Sequence, residues 1–248
     1  MSMAPIRPHP TLERYYHNDS QRAGAVRDLF DEGAPHYEWI CRVMSVGTGD
    51  RYRRQVLRAA GLKPGMRLLD VATGTGPVLR AAVEAVAGGL AVGLDPSGGM
   101  LRECRKRCAA PLLQGRGEQL PFAAASFDMV SMGYGLRHVP DLCQLFAEYH
   151  RVLKPGGRVL VLEITQPESS VGRWLNRLYL RNLVPALARL GGGTPAAGKM
   201  MDYFWDTIDT CVPPKVILDA LSGAGFDQSR RSVTGGIFSE YHGEKLRG

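Results

Sequence analysis

Apolar and polar positions follow two different patterns along the chain, and the change falls at Pro64-Gly65. Between Val26 and Arg58 the apolar residues recur every three or four positions, which predicts two or three short helices. Helix-breaking residues punctuate this stretch at Gly33, Pro35, Gly47 and Gly49. Beyond Pro64-Gly65, short continuous apolar runs alternate with helical segments of ~10–15 residues. Because helices cover both faces of a parallel sheet, its strands are apolar throughout, and the pattern predicts an α/β fold.

The second pattern predicts a series of strands and helices. The strands are 66–72, 90–95, 111–114, 127–132 and 158–164, and the helices are 78–86, 100–108, 142–153 and 216–221. Residues 171–210 interrupt the alternation with an inserted helical segment, and 232–238 and 240–245 predict a closing strand pair. Residues 1–20 are polar and contain prolines, so we expect a loose arm. Residues 1–24 are treated as flexible and 25–248 as one domain.

Composition narrows the class of protein. The chain has 248 residues, 44% hydrophobic and 22% charged, which excludes disordered, collagen-like and disulfide-scaffold proteins. It contains no run of ~18 apolar residues that would span a bilayer, and its first residues lack the apolar core of a secretory signal. The five cysteines show no CxxC spacing and the six histidines no ligand spacing. We therefore expect a cytoplasmic protein that binds no metal.

The chain is basic, with a net charge of +7. Its 31 Lys and Arg residues, 25 of them arginine, outnumber 24 Asp and Glu residues. Such an excess favours anionic partners, or it reflects a solvated surface without specific function. An RNA-binding protein would need arginines interleaved with exposed aromatic residues, and the cluster Arg51-Tyr52-Arg53-Arg54 contains one aromatic residue. No nucleic-acid partner is predicted.

A glycine-rich turn follows the first predicted strand, in the run Asp70-Val71-Ala72-Thr73-Gly74-Thr75-Gly76-Pro77. Ligands of open α/β sheets bind at such turns, where glycines let backbone N–H groups approach closely. Asp95 ends the second strand, 19 residues after Gly76, and an acid there accepts hydrogen bonds from ribose hydroxyls. The turn therefore predicts a nucleoside ligand.

Two residues select among nucleoside ligands. A dinucleotide needs a small residue at position 79, where the helix meets the pyrophosphate, and Leu79 stands there. The carboxylate of Asp70 would repel a phosphate and attract an ammonium group. A ligand with a ribose, an amino group and no phosphate is S-adenosylmethionine, which is the cofactor we predict.

These residues and three further segments resemble the class I methyltransferases, and among them the ubiquinone/menaquinone biosynthesis C-methyltransferase family. The segments are 115–122, 127–139 and 151–157. The run Gly135-Leu136-Arg137 before Val139 and the C-terminal run Thr234-Gly235-Gly236-Ile237 are the narrowest parts of the match, which covers residues 25–246. The resemblance implies a Rossmann-like fold with a central, mostly parallel sheet, helices on both faces and a helical substrate cap at residues 25–62.

The resemblance also implies a set of cofactor contacts. Gly74, Thr75 and Gly76 would contact the methionine part, Asp95 the ribose, and Arg116 and Gly117 the adenine, with Gly133 nearby. We expect their neighbours to complete the site, namely Asp70, Ala72, Thr73, Pro96, Met100 and Glu118. The chain departs from the family pattern at Pro77, Arg116, His138 and Gly49, where the family has an acid, Asp or Asn, Asn, and His respectively.

Three residues are candidates for the chemistry at a phenol or quinol ring. Removing the proton of a ring hydroxyl moves electron density onto the ortho carbon, and a positioned base assists this step. His138 follows the fourth strand, and its ordinary pKa of ~6.5 suits a base. Arg137 is predicted to hold the phenolate, and Tyr203, which aligns with a family tyrosine, to reach the acceptor. The structural alternatives are a packing histidine, an ion pair and an aromatic core.

Residues 171–190 have a basic amphipathic pattern. Arg173, Arg177 and Arg181 recur every four residues, while Trp174, Leu175, Leu178 and Leu183 line another face. Such a helix can lie on an anionic membrane surface, which would help an enzyme whose acceptor carries a polyprenyl tail. The alternative is a helix that covers the substrate and exposes its arginines to solvent.

The predicted function is S-adenosylmethionine-dependent C-methylation of a phenolic or quinol ring, as in ubiquinone or menaquinone biosynthesis. The alternative acceptor is a soluble aromatic metabolite, methylated on oxygen or carbon. A non-catalytic cofactor-binding subunit is a third interpretation. The sequence names neither the acceptor nor the oligomeric state, so homodimerisation stays open.

Overall fold

A computed structural model describes residues 5–44, 48–167, 169–178 and 195–247. Its helices are α1 (Asp19–Met44), α2 (Gly49–Ala59), α3 (Pro77–Val86), α4 (Gly98–Arg105), α5 (Leu142–Val152), α6 (Ser170–Arg177), α7 (Pro195–Asp209) and α8 (Pro214–Gly223). Its strands are β1 (Arg67–Val71), β2 (Leu90–Asp95), β3 (Leu112–Gln114), β4 (Phe127–Gly133), β5 (Leu153–Ile164), β6 (Phe226–Thr234) and β7 (Phe238–Lys245).

The strands form one sheet in the order β3-β2-β1-β4-β5-β7-β6. The first five are parallel, while β7 runs antiparallel to both β5 and β6. The order reverses between β1 and β4, and the carboxyl ends of these strands open a crevice there. This arrangement confirms the predicted α/β fold and its mostly parallel sheet.

Alternate residues of the strands supply two separate cores. Leu69 of β1 belongs to the cluster with α5 and α8, whereas Leu68 beside it belongs to the cluster with α2 and α3. Both leucines are 0% exposed, because side chains alternate between the faces of a strand and helices cover both faces. A third cluster joins α1 to α7 through Leu29, Met200 and Phe204.

The first helix is longer than the sequence predicts. It runs unbroken from Asp19 to Met44 through Gly33 and Pro35, in place of two short helices. Gly33 is needed for packing, since a Cβ there would lie 2.5 Å from the sulfur of Met200 on α7. Proline removes one helical hydrogen bond. Contacts of α1 with α4 and α7 stabilise the helix, and a single-segment pattern does not reveal them.

Residues 5–18 also differ from the expected loose arm. The Ile6 N–H donates to Asp141 Oδ1 at 3.0 Å, and the Pro8 carbonyl accepts from the Val212 N–H at 2.8 Å. His9 and Tyr16 are 1% and 2% exposed. The segment is therefore packed against the loops before α5 and α8.

The closing strand pair is confirmed, but its first strand was predicted too late in the chain. β6 begins at Phe226, six residues before the predicted start, and the turn lies at Gly235-Gly236, which both have positive φ. β5 likewise begins at Leu153 and includes the Pro155-Gly156-Gly157 run that predicted a turn. The pairing of Phe127 with Leu153, beyond a register shift, accounts for that extension.

Candidate active site

A cavity of about 440 Å³ opens at the carboxyl ends of the parallel strands. One side is formed by the glycine turn after β1 and by the ends of β2 and β4, and α1 closes the other. Nine of the predicted cofactor residues line it: Ala72, Gly74, Asp95, Pro96, Met100, Arg116, Gly117, Glu118 and Gly133. The topology has thus gathered residues from four separate loops into one site.

Asp95 ties the end of β2 to the glycine turn. Its two carboxylate oxygens accept the N–H groups of Gly74 and Ser97, each at 2.8 Å. Burial raises the pKa of Asp95 to about 6, against the two backbone hydrogen bonds, which lower it. The group is ionised at neutral pH, and each oxygen keeps a lone pair for a further donor. A ribose diol fits this acceptor.

Asp70 does not line the main cavity but lies behind the glycine turn. It is 0% exposed and accepts hydrogen bonds from the hydroxyls of Thr73 and Ser131, both at 2.7 Å. Burial raises its pKa to about 6, which the two hydroxyls partly offset. A smaller pocket beneath the glycine turn, which Gly74 and Tyr37 also line, contains Asp70. Its negative charge therefore acts on the cavity through the turn.

The other residues of the glycine turn differ in position. Thr73, Thr75 and Gly76 do not line the main cavity. Gly76 is the N-cap residue of α3 and has φ +87°, and a Cβ there would lie 2.5 Å from the sulfur of Cys104. Gly76 is thus required by the turn and by the packing of α4, whereas Gly74 presents its backbone to the cavity.

The loop after β3 contributes three further residues to the cavity lining, Arg116, Gly117 and Glu118. Gly117 packs closely, since a Cβ there would lie 2.6 Å from Leu145. The Arg116 side chain is 53% exposed and its Nε lies 3.5 Å from Oε2 of the buried Glu118. Arg116 therefore extends toward solvent, whereas Glu118 is buried in the cavity wall.

His138 lies at the cavity, in a short 3₁₀ turn directly beyond β4. Its Nδ1 is 3.3 Å from the hydroxyl of Tyr203, and its buried Nε2 has no hydrogen-bond partner among the described residues. Burial lowers its pKa well below the ordinary value, and the charges of Arg137 and Arg22 act in the same direction. The structure therefore places His138 at the cavity, with a pKa below the ordinary value that the sequence led us to expect and a neutral ring.

Arg137 points away from the main cavity. It is 2% exposed, and its Nε donates to Glu163 Oε1 at 2.8 Å while Nη1 donates to Thr207 Oγ1 at 2.7 Å. These partners correspond to the structural alternative, a buried ion pair. Arg137 thus connects β5 to α7 and lies outside the lining of the main cavity.

Tyr203 is buried in the aromatic wall of the site. It is 0% exposed and stacks on His138 with ring centroids 5.3 Å apart. Phe30 packs edge-on against the same imidazole at 5.0 Å. Tyr203 does not line the main cavity, so it acts on the site through His138.

The sequence predicted a helical cap at residues 25–62 but gave no site role to three residues of α1. Arg22, Phe30 and Tyr37 all line the cavity, whereas the spacing of Phe30 and Tyr37 indicated only the apolar face of a helix. The available signal was Arg22, a charged residue on the apolar side of an amphipathic pattern.

Part of the amphipathic segment 171–190 lies within the described residues. Trp174 and Leu178, four residues apart, are 62% and 47% exposed. Residues 179–190, including Arg181 and Leu183, and the side chains of Leu175 and Arg177 lie outside the described part. None of the described helices has the length and apolar character that crossing a membrane requires.

Comparison with known proteins identifies similar sequences over nearly the whole chain. The model of the ubiE/COQ5 methyltransferase family matches residues 16–245. A ubiquinone/menaquinone biosynthesis C-methyltransferase UbiE of Syntrophotalea carbinolica is 35% identical over 233 residues, 91% of this chain and 97% of that protein. A demethylmenaquinone methyltransferase of Chlorobaculum tepidum is 35% identical over 211 residues, 83% of this chain and 85% of that protein.

Solved structures share the fold. A SAM-dependent methyltransferase of Aquifex aeolicus aligns with a TM-score of 0.59 at 16% identity, covering 84% of this chain and 98% of that one. A phosphoethanolamine N-methyltransferase 2 of Haemonchus contortus, in complex with S-adenosyl-L-methionine, aligns with a TM-score of 0.62 at 17% identity. That alignment covers 89% of this chain and 60% of the other.

Proposed function

The chain belongs to the ubiE/COQ5 methyltransferase family, and on that premise we propose that it transfers a methyl group from S-adenosylmethionine to a ring carbon of a quinol. Two relatives are named for ubiquinone/menaquinone biosynthesis and for demethylmenaquinone. A reduced quinone ring of this kind is the acceptor class we assign here.

The cavity itself supports this function because its two halves differ in chemistry. The polar half presents Asp95, the Gly74 backbone and Glu118, which suit a nucleoside with hydroxyl and amino groups. The aromatic half presents Phe30, Tyr37 and His138, which suits a flat ring. This pairing of halves in one space is the observation that carries the proposal.

Methyl transfer needs alignment more than activation. When bound, S-adenosylmethionine supplies a sulfonium methyl group, whose C–S bond breaks with its electron pair going to sulfur as the new C–C bond forms. Holding donor and acceptor in line is worth ~7–11 kcal/mol of barrier. Asp95 and the Gly74 turn fix the nucleoside end, and the packed helix α1 closes over the acceptor end.

The ring that gains the methyl group loses one proton overall: its hydroxyl loses a proton before attack, the methylated carbon loses one after it, and the ring oxygen regains one as the ring becomes aromatic again. His138 is the titratable group of the aromatic half that presents an unpaired atom, Nε2. With its lowered pKa, it orients the hydroxyl oxygen and does not store the proton. The one proton released passes to solvent.

We further propose a peripheral membrane contact through α6. Trp174 of α6 and Leu178, the residue directly after this helix, lie four positions apart and are both exposed, and exposed apolar side chains are favourable at a bilayer interface. An acceptor with a polyprenyl tail would be taken from that surface.

Labelled methyl transfer onto reduced quinols and simple phenols, with mass spectrometry of the products, tests the function. We expect label on a ring carbon of naphthoquinols or benzoquinols. Label on oxygen, or on soluble phenols only, would select the alternative acceptor class, and cofactor binding without turnover on any ring would contradict the proposal.

A further inference from the structure

Arg22 is a buried cation to which the described part of the chain supplies no carboxylate. It lies on α1, is 2% exposed, and lines the main cavity. Its Nη2 donates to Nε2 of His9 at 2.9 Å and to the Arg137 carbonyl at 3.1 Å. Its Nε–H is buried without an acceptor among the described residues.

Both acceptors that hold Arg22 are neutral. His9 Nδ1 lies 2.6 Å from the Pro10 carbonyl, which can only accept, so Nδ1 carries the proton and Nε2 accepts from Arg22. Burial lowers the pKa of His9 to about 4, with the charge of Arg22 adding to the effect. The histidine therefore positions the guanidinium and does not balance its charge.

The other buried arginine of this region is balanced. Arg137 has Glu163 as an ion-pair partner at 2.8 Å. A buried charge without a partner is costly, whereas one that meets an anion is stabilised. Arg22 thus leaves the wall of the cavity with one positive charge that a bound anion would neutralise.

His138 offers a second donor beside Arg22. The Arg137 carbonyl that accepts from Arg22 belongs to the residue directly before His138. The Tyr203 hydroxyl donates to Nδ1 of His138 when the proton of the imidazole is on Nε2, and this assignment of the tautomer leaves Nε2–H unpaired. Two buried donors, one charged and one neutral, therefore belong to the same side of the cavity.

We propose that Arg22 binds the ionised ring oxygen of the methyl acceptor, with Nε2–H of His138 as the second donor. This inference rests on the proposed function and deepens it, because it specifies how the acceptor hydroxyl is held. A guanidinium at the oxygen favours the phenolate over the phenol. The ortho carbon then becomes nucleophilic without a strongly basic side chain, in agreement with the neutral state of His138. Arg22 takes the role that the sequence assigned to Arg137.

A matched pair of ligands tests this assignment. 2-Hydroxy-1,4-naphthoquinone, ionised at pH 8, and its uncharged 2-methoxy analogue are titrated by calorimetry into the enzyme saturated with S-adenosylhomocysteine. We expect the parent to prefer the anion, and Arg22→Met to lower that preference by about 10- to 100-fold, the range for a hydrogen bond to a charged group. Arg22→Lys keeps the charge but loses Nε, so it should retain part of the preference.

Arg54→Met is the matched control, because Arg54 lies on α2 outside the lining of the main cavity and is half-exposed, paired with Glu84 at 3.5 Å. It should keep the parent preference. Equal loss of both ligands in Arg22→Met, or weaker binding of S-adenosylhomocysteine with the preference intact, would overturn the inference. Neither result bears on turnover of quinols by the parent, which tests the proposed function separately. Thermal melts identify any variant that fails to fold.

Discussion

Asp31 of α1 accepts a hydrogen bond from the backbone of Gly99 at the N-terminus of α4. The Gly99 N–H donates to Asp31 Oδ1 at 2.7 Å, and the Ser97 hydroxyl donates to the same oxygen at 2.6 Å. A carboxylate at a helix N-terminus also complements the helix dipole. This contact joins the helix that closes the cavity to the loop after Asp95, so cap and cofactor loop are held as one unit.

Gly99→Ala should separate α1 from the loop after Asp95. A Cβ at Gly99 would lie 2.8 Å from Asp31 Oδ1 and 2.9 Å from its Cα, so α1 must shift. We expect S-adenosylhomocysteine affinity to fall by about 10-fold or more through loss of the charged hydrogen bond. Gly98→Ala is the control, since its Cβ would meet nothing closer than 3.6 Å. Equal affinities by calorimetry in the two variants would contradict this coupling.

Asp70→Asn should stabilise the ligand-free protein at neutral pH and weaken cofactor binding. The folded pKa of Asp70, about 6, exceeds the ordinary value of 3.8, so the ionised carboxylate destabilises the fold above pH 6. The variant should gain about 1–3 kcal/mol at pH 7.5, and the gain should shrink as pH falls from 6 toward 4. Urea unfolding across this range measures it.

The control for this prediction is Asp128→Asn, which should lose stability. Asp128 accepts from the Lys154 ammonium and the Arg67 N–H, both at 2.8 Å. If Asp70→Asn also lost stability at pH 7.5, Asp70 would not be held ionised at a cost to the fold.

His138 should leave no ionisation near pH 6.5 in the rate profile. Its lowered pKa keeps the imidazole neutral through the range from pH 6 to 8. His138→Ala and His138→Asn should bind S-adenosylhomocysteine like the parent and lose about 10²-fold in kcat. Parent rates in both variants would exclude His138 from the chemistry, and a limb near pH 6.5 that they remove would restore it as a base.

Arg137→Met should be strongly destabilising, by about 3–5 kcal/mol, because it leaves Glu163 buried without its partner. The double variant Arg137→Met, Glu163→Met should recover most of that loss in urea unfolding. Arg54→Met, at the exposed pair with Glu84, should change stability little. A stable Arg137→Met protein that had lost only acceptor binding would show that Arg137 contacts the acceptor directly, which would contradict the structural role that we assign to it.

Replacing Trp174 and Leu178 together by serine should reduce co-sedimentation with vesicles of anionic lipid and leave the melting temperature unchanged, since both side chains are exposed. Val233→Ser removes an exposed apolar residue of β6 and should bind vesicles like the parent. If none of the three substitutions changed vesicle co-sedimentation, the membrane contact would lie elsewhere on the protein.

Local pattern was sufficient for most of the sheet and for the polar half of the site. Leu90–Asp95 was predicted at its observed bounds, because a buried strand is a short continuous apolar run that a polar turn residue ends. Gly74 and Asp95 could likewise be assigned, since a glycine turn and an acid after the next strand lie at one edge of any parallel sheet.

The amino-acid order alone therefore determined the α/β class, the nucleoside half of the cavity and the family. Tertiary packing decided what α1 does: it continues through Pro35 and brings Arg22 into the wall of the site. It also decided which of two arginines is neutralised, since Glu163 reaches Arg137 from β5. Charge state and exposure depend on contacts between residues 26 positions apart, as for Arg137 and Glu163, or 115 apart, as for Arg22 and Arg137, and no local periodicity contains that information.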